Sequence, residues 1–167
     1  MNDAERYSVS LILETLGRNS AFRRIDDSLY VVKQGSAFVM IHVSPLEGER
    51  AVVRCAAQLV QGAQITGGLA IELLRLNAIL RFGAFAYAAD DDMIFFLHSI
   101  LGGPTLDPDE LLATVRDVAI VADHYDDRIV EKYGGKRMQD LLEEGALARV
   151  LASEADAFAK PPEGKRP

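Results

Sequence analysis

The chain is expected to be an α+β protein. Its predicted fold is a twisted antiparallel sheet packed against helices, in the order α-β-β-β-α-β-β-α with an extra C-terminal helix. Three observations lead there. Short runs of apolar residues are separated by tight polar turns, as hairpin-joined strands require. Longer segments repeat apolar residues every three or four positions, as helices do. One of these, from Asp107, opens with three separate helix-start signals. Hairpins build an antiparallel sheet, and helices gathered against it complete a layered sandwich.

A first helix is predicted from Asp3 to about Leu16, with Tyr7, Leu11 and Ile12 on one side and Gly17 ending it in the left-handed conformation. Three strands follow: LYVVKQG from Leu29, AFVMIHV from Ala37 to Val43, and RAVVRCAAQLV from Arg50 to Val60. Lys33 to Ser36 makes the first turn, and a loop containing Pro45 and Gly48 makes the second. In the middle strand both faces are mostly apolar, which predicts a central position with cover on both sides. The polar, glycine-bearing stretch after Val60 leads into a second helix ending before Gly83, whose Leu69, Leu73, Leu76 and Leu80 form one face. Phe85 and Tyr87 then lie across the Asp90-Asp91-Asp92 turn from the strand Met93 to His98. Asp107 supplies an N-cap, Pro108 the first helical position and Glu110 the third. The stripe Leu111, Val115, Val118, Ala122, Tyr125 and Ile129 continues to Gly134-Gly135, a helix of about 39 Å at 1.5 Å per residue. A last helix is expected from about Arg137 to Phe158, carrying Met138, Leu141, Leu142, Leu147, Val150 and Leu151. Residues 1–133 thus form the main domain, 134–158 an appended helix and 159–167 a proline-bearing disordered tail.

Size and charge exclude several classes. A chain of 167 residues can bury a core without staples. A net charge of −7 offers no basic stripe for a phosphate backbone, so no nucleic-acid partner is expected. Uncharged apolar runs fall short of the roughly 20 residues that span a bilayer, and MNDAERYSVS lacks the basic start of a secretory signal. The single cysteine, Cys55, rules out an internal disulfide and shares its strand face with apolar neighbours. A buried inert thiol and a cytoplasmic location follow as expectations.

The LLRLN segment from Leu73 to Asn77, the hairpin GAFAYAADDDMIFFLHSI and the capped helix LDPDELLATVRDVAIVADHYDD carry a resemblance. Together, over roughly Tyr7 to Tyr133, the chain resembles the bacterial type III secretion chaperone and YbjN-like family, the TY-Chap type. The added helix after Gly134 departs from the family's minimal fold. The resemblance implies a non-enzymatic protein-binding module, commonly dimeric, that holds segments of a protein or peptide client on an apolar surface. It implies no cofactor.

The residues supply their own candidates for chemistry. Asp123 and Asp127 stand one helical turn apart with His124 between them, a spacing open to a cation if Asp90 to Asp92 joined them. The plainer account makes these acids a solvated helix face, with Arg128 and Lys132 as ion-pair partners. His42, His98 and His124 form no HxH or HExxH pattern, and Gly67-Gly68 and Gly102-Gly103 form no phosphate loop. Ser99 lacks a G-x-S-x-G setting. No catalytic and no metal site is therefore assigned. The surplus of apolar side chains remains as a functional signal. Phe95 and Phe96 are adjacent on a strand and must face opposite ways. If the long helix covers one face, the other needs the C-terminal helix, a second subunit or a client. The expected working surface comprises Leu73, Leu76, Phe85, Tyr87, Phe95 and Phe96, residues that core packing would equally use. A metal-dependent small enzyme and a structural subunit of a larger assembly stand as the alternative functions.

Overall fold

The computed structural model describes residues 1–159, so Lys160 to Pro167 of the expected tail lie outside the described residues. The helices are α1 (Asp3–Leu16), α2 (Gly67–Ile79), α3 (Pro108–Tyr133) and α4 (Met138–Ala159). The strands are β1 (Phe22–Arg24), β2 (Leu29–Gln34), β3 (Ala37–Leu46), β4 (Arg50–Gln61), β5 (Ala84–Ala88), β6 (Met93–Leu101) and β7 (Lys136–Arg137). They form one open antiparallel sheet in the order β1-β2-β3-β4-β6-β5, with β7 added beside the end of β4. The expected α+β order is present. β1 and β7 are additions to it, three and two residues long, too short for any periodicity to show.

Local chemistry sets the helix ends. Asn2 and Glu5 form a reciprocal capping box on α1. The Asp107 carboxylate accepts from the Asp109 and Glu110 N–H groups, as its position predicts. Gly17 corrects the expected left-handed stop: it has φ −61°, and its N–H still bonds Leu13 O at 2.9 Å, so it continues the last turn. Pro45 lies inside β3 opposite Ala51 rather than in a loop.

The core lies on one side of the sheet. α1 and α3 touch each other and both pack on β3 and β4. Beneath them Val39, Ile41, Val43, Val53, Cys55 and Ala57 are buried almost completely. The α3 stripe does the covering: Leu111, Val115, Val118, Ala122 and Ile129 are buried, and Tyr125 is half-buried. Phe85 and Phe96 meet edge-on at 5.1 Å, with Tyr125 of α3 5.3 Å from Phe85. On the other side β3 departs from the expected double cover, since Phe38 and Met40 are half-buried and His42 is exposed. α1 and α3 together cover the side that carries Val39, Ile41 and Val43.

α2 runs along the β5 edge. Asn77 Oδ1 accepts from the Phe85 N–H at 2.7 Å, and its Nδ2 donates to Phe85 O at 3.2 Å. The side-chain amide stands in for a neighbouring strand and closes the edge there. Near the middle of α2 the Glu72 carboxylate accepts from Lys132 Nζ at 2.6 Å and from the Tyr133 hydroxyl at 2.7 Å. These two bonds hold the Glu72 carboxyl below its usual range. Gly135 makes the turn into β7 possible: it has φ 89°, and a Cβ there would meet Gln61 O at 2.6 Å. α4 then packs on β7 and adjoining parts of β3 and β4. Arg137 ties this junction to α3 through Asp127 at 2.6 Å and to α4 through Asp140 at 2.7 Å. Met138, Leu141 and Gly145 are half-buried, whereas Ala146 to Arg149 are exposed. The Val150 and Leu151 side chains lie outside the described residues.

Two predictions test this packing. Ser8 is fully buried; its hydroxyl donates to Ala4 O at 2.8 Å and accepts from the Gly103 N–H at 2.7 Å, joining α1 to the loop before α3. Ser8→Ala leaves a buried N–H without a partner, so denaturant melts should show a loss of about 1–3 kcal/mol. Burial pushes the Cys55 thiol up to about 12. A thiol reagent at pH 8 should therefore leave the native protein unmodified and label Cys55 fully in denaturant.

Candidate functional site

Among the described residues, three apolar features of the surface stand out. The first is the uncovered sheet face. The register places Val31, Met40, Ala56, Leu97 and Ala84 in one row across five strands. All five are half-buried. Phe95, paired with Gln58 and Ala86, and Phe38, paired with Lys33, flank the row on one side. Leu29, His42, Arg54 and Ser99 form a more polar row on the other. An apolar band with a polar border is the arrangement of a protein-binding surface.

The second feature is the outer side of α2. Its inner stripe, Leu69, Leu73, Leu76 and Leu80, packs on the core. A second stripe faces away: Ile71 is 54% exposed, Leu74 66%, Ile79 76%, and Phe82 just beyond the helix 61%. A helix apolar all round is ordinarily buried, so this one lacks half its cover. A shallow groove continues the exposed side towards Lys132 and Tyr133 at the end of α3. The signal was present in LAIELLRLNAIL, which has only two charges, but reading for a single stripe hides the second.

The third is a cavity of about 380 Å³ between α3, β6 and the turn after α2. Phe96 and Val118 contribute to its lining, with Arg81, Glu110 and Asp117 among its polar residues. Gly83 shapes this turn: it has φ 73°, and a Cβ there would meet the Phe96 ring at 2.6 Å. Phe82 is thereby brought edge-on to His98, with ring centroids 5.6 Å apart.

The six residues singled out from the sequence divide between these regions and the core. Phe85 and Phe96 are buried under α3, at 6% and 1% exposure. Leu73 and Leu76 are half-buried on the inner side of α2. Phe95 lies half-buried on the open sheet face. Tyr87 is exposed, and its hydroxyl donates to Asp92 at 2.8 Å, which raises the phenol's pKa. Phe95 and Phe96 thus face opposite ways, as strand geometry requires.

The acidic cluster is occupied by structural partners. Asp123 accepts from the Ser36 hydroxyl at the β2–β3 turn, and Asp127 from Arg137. The Asp127 N–H donates to the Asp126 carboxylate at 2.6 Å, while burial raises the Asp126 pKa. Arg128 lies over the Tyr125 ring and Lys132 pairs with Glu72, so the expected Arg128 and Lys132 pairings give way to Arg137 from β7. His124 is exposed against Tyr125. Among the described residues, no group of three or more His, Cys, Asp or Glu side chains could hold a metal ion. No helix among them is long and apolar enough to cross a membrane.

Comparison with known proteins agrees with this architecture. No curated protein matches significantly in sequence. Among solved structures, the crystal structure of the ExsC–ExsE complex contains a similar chain, with a TM-score of 0.59 and 16% identity. The match covers 77% of this chain and 97% of the other, and at that identity it speaks for the fold alone. A family model described as T3SS (YopN, CesT) and YbjN peptide-binding chaperone 1 matches residues 5–141. That span takes in every element from α1 to the start of α4, and the chain therefore belongs to this family of peptide-binding chaperones.

Proposed function

We propose that this protein is a non-enzymatic, cytoplasmic chaperone-type module that holds extended or partly unfolded segments of a client protein. Its working unit is residues 1–133, with α4 appended. The observation that carries the reading is the open sheet face, where Val31, Met40, Ala56, Leu97 and Ala84 align across five strands without full cover. A client segment laid across this row buries apolar side chains on both partners. Each large side chain taken fully out of water contributes about 1.5–3 kcal/mol. Binding by burial needs no reacting group, which suits a surface whose acids and histidines are dispersed or already paired.

The outer stripe of α2 supports a homodimer in the same reading. A two-fold interface uses the same patch on both subunits, and an axis near Leu74 sets Ile71 of one helix towards Ile79 of the other. The helix alone, about 20 Å long at 1.5 Å per residue, is too small for the roughly 800 Å² per partner of a stable interface. The adjoining groove and Phe82 extend it. This arrangement leaves the open sheet face to the client.

Light scattering is expected to show a dimer for the unmodified protein and a monomer for Leu74→Glu, with circular dichroism showing that the variant stays folded, because Leu74 is exposed within its own subunit. A wild type that stays monomeric at tens of micromolar overturns the dimer. For client binding, Met40→Glu and Phe95→Glu should each weaken capture of reduced, carboxymethylated α-lactalbumin, a permanently unfolded probe, by tenfold or more. Unchanged capture by both variants sinks the sheet-face assignment.

A further inference from the structure

The cavity between α3 and β6 has a chemistry distinct from the open sheet face, which lies on the other side of the sheet. Its floor is apolar, built from Phe96, Val118 and Val121. Its polar groups are Glu110, Thr114 and Asp117 of α3, Arg81 of the turn after α2 and His98 of β6. Glu110 and Asp117 stand two helical turns apart, about 10–11 Å. Among the described residues Glu110 and Arg81 have no ion-pair partner, and Asp117 has only its neighbour Arg116 at 3.7 Å. The two carboxylates on α3 therefore have charge to offer a ligand.

The cavity holds about 380 Å³, which accommodates a large side chain. We propose that this cavity is an anchor pocket for a single large apolar side chain of the client, next to a lysine or arginine. The apolar side chain rests on Phe96 and Val118, and the neighbouring cation pairs with Asp117 or Glu110. The Arg81 guanidinium donates to backbone carbonyls of the same segment. A protein of net charge −7 also draws cationic segments from a distance. The proposal rests on the peptide-binding reading above and adds a sequence preference to it.

The test uses the full-length protein and two fluorescein-labelled peptides, SGKFKLGS and SGEFELGS, compared by anisotropy at low salt. The lysine peptide is expected to bind at least tenfold more tightly. Asp117→Lys should reduce that preference below threefold. Ala113→Leu, which fills the cavity from α3, should abolish binding of the lysine peptide while capture of carboxymethylated α-lactalbumin on the open face persists. Equal affinity for the two peptides, or an unchanged preference in both variants, overturns the pocket and leaves the open-face reading standing. Loss of wild-type α-lactalbumin capture would instead overturn the peptide-binding reading, and the anchor pocket with it. If Ala113→Leu dissociates a wild-type dimer, the occupant is a second copy of this chain and the client assignment is wrong. Circular dichroism melts of both variants confirm that each remains folded.

Discussion

Phe96 lies where β6, β5 and α3 come together, and the remaining architecture depends on that contact. Its ring meets Phe85 edge-on, and Phe85 in turn meets Tyr125 of α3. The junction seats the long helix on the same side as Val53, Cys55 and Ala57, so the helical layer and the buried sheet face become one core. Alternation along each strand then directs every second side chain to the other side. Because β3, β4 and β6 carry apolar residues on both faces, closing one face necessarily leaves an apolar surface on the other. The open row from Val31 to Ala84 is thus the geometric counterpart of the core.

α2 repeats that asymmetry at the sheet edge. Its inner leucines dock on the core, and Asn77 joins its last turn to the backbone of Phe85. With the helix fixed in this way, Ile71, Leu74 and Ile79 are held outward. The Asn77 amide also removes the strand-pairing capacity of β5 at Phe85, so this edge presents a helix surface instead of free backbone. An exposed apolar helix beside a closed edge favours side-chain packing with a partner over strand addition there. The α2–β5 turn extends the same logic: Gly83 allows the chain to pass against Phe96, and the passage leaves the cavity beside α3.

The junction after α3 shows how a short connection redirects a chain. Gly134 and Gly135 both have positive φ, and Gly135 passes too close to β4 for any side chain. Two residues of β7 then pair with Val60 and Gln61, while Arg137 fastens the junction through Asp127 and Asp140. Asp127 has an ion-pair partner for this reason. An acid that resembles a ligand in the sequence serves here to anchor the start of α4.

Much of the fold was determined by the sequence itself. The cap at Asp107, the stripe through Val118 and Ala122, the turn at Gly35 and the alternation around Cys55 each express local backbone chemistry that needs no distant partner. The resemblance carried by the second half of the chain pointed to the family. The tertiary structure alone decided which faces receive cover. Periodicity divides a strand or helix into sides, yet it does not say which side another element will occupy when both are apolar. Phe85 and Phe96 therefore went to the core while Phe95 stayed within reach, and the outer stripe of α2 emerged as surface. β1 and β7 had no local signature because they are held by their neighbours' unpaired backbone, and Arg137 met Asp127 only because β7 brought it there. Long-range pairing is the physical reason: its energy belongs to two segments at once, and neither one records it alone.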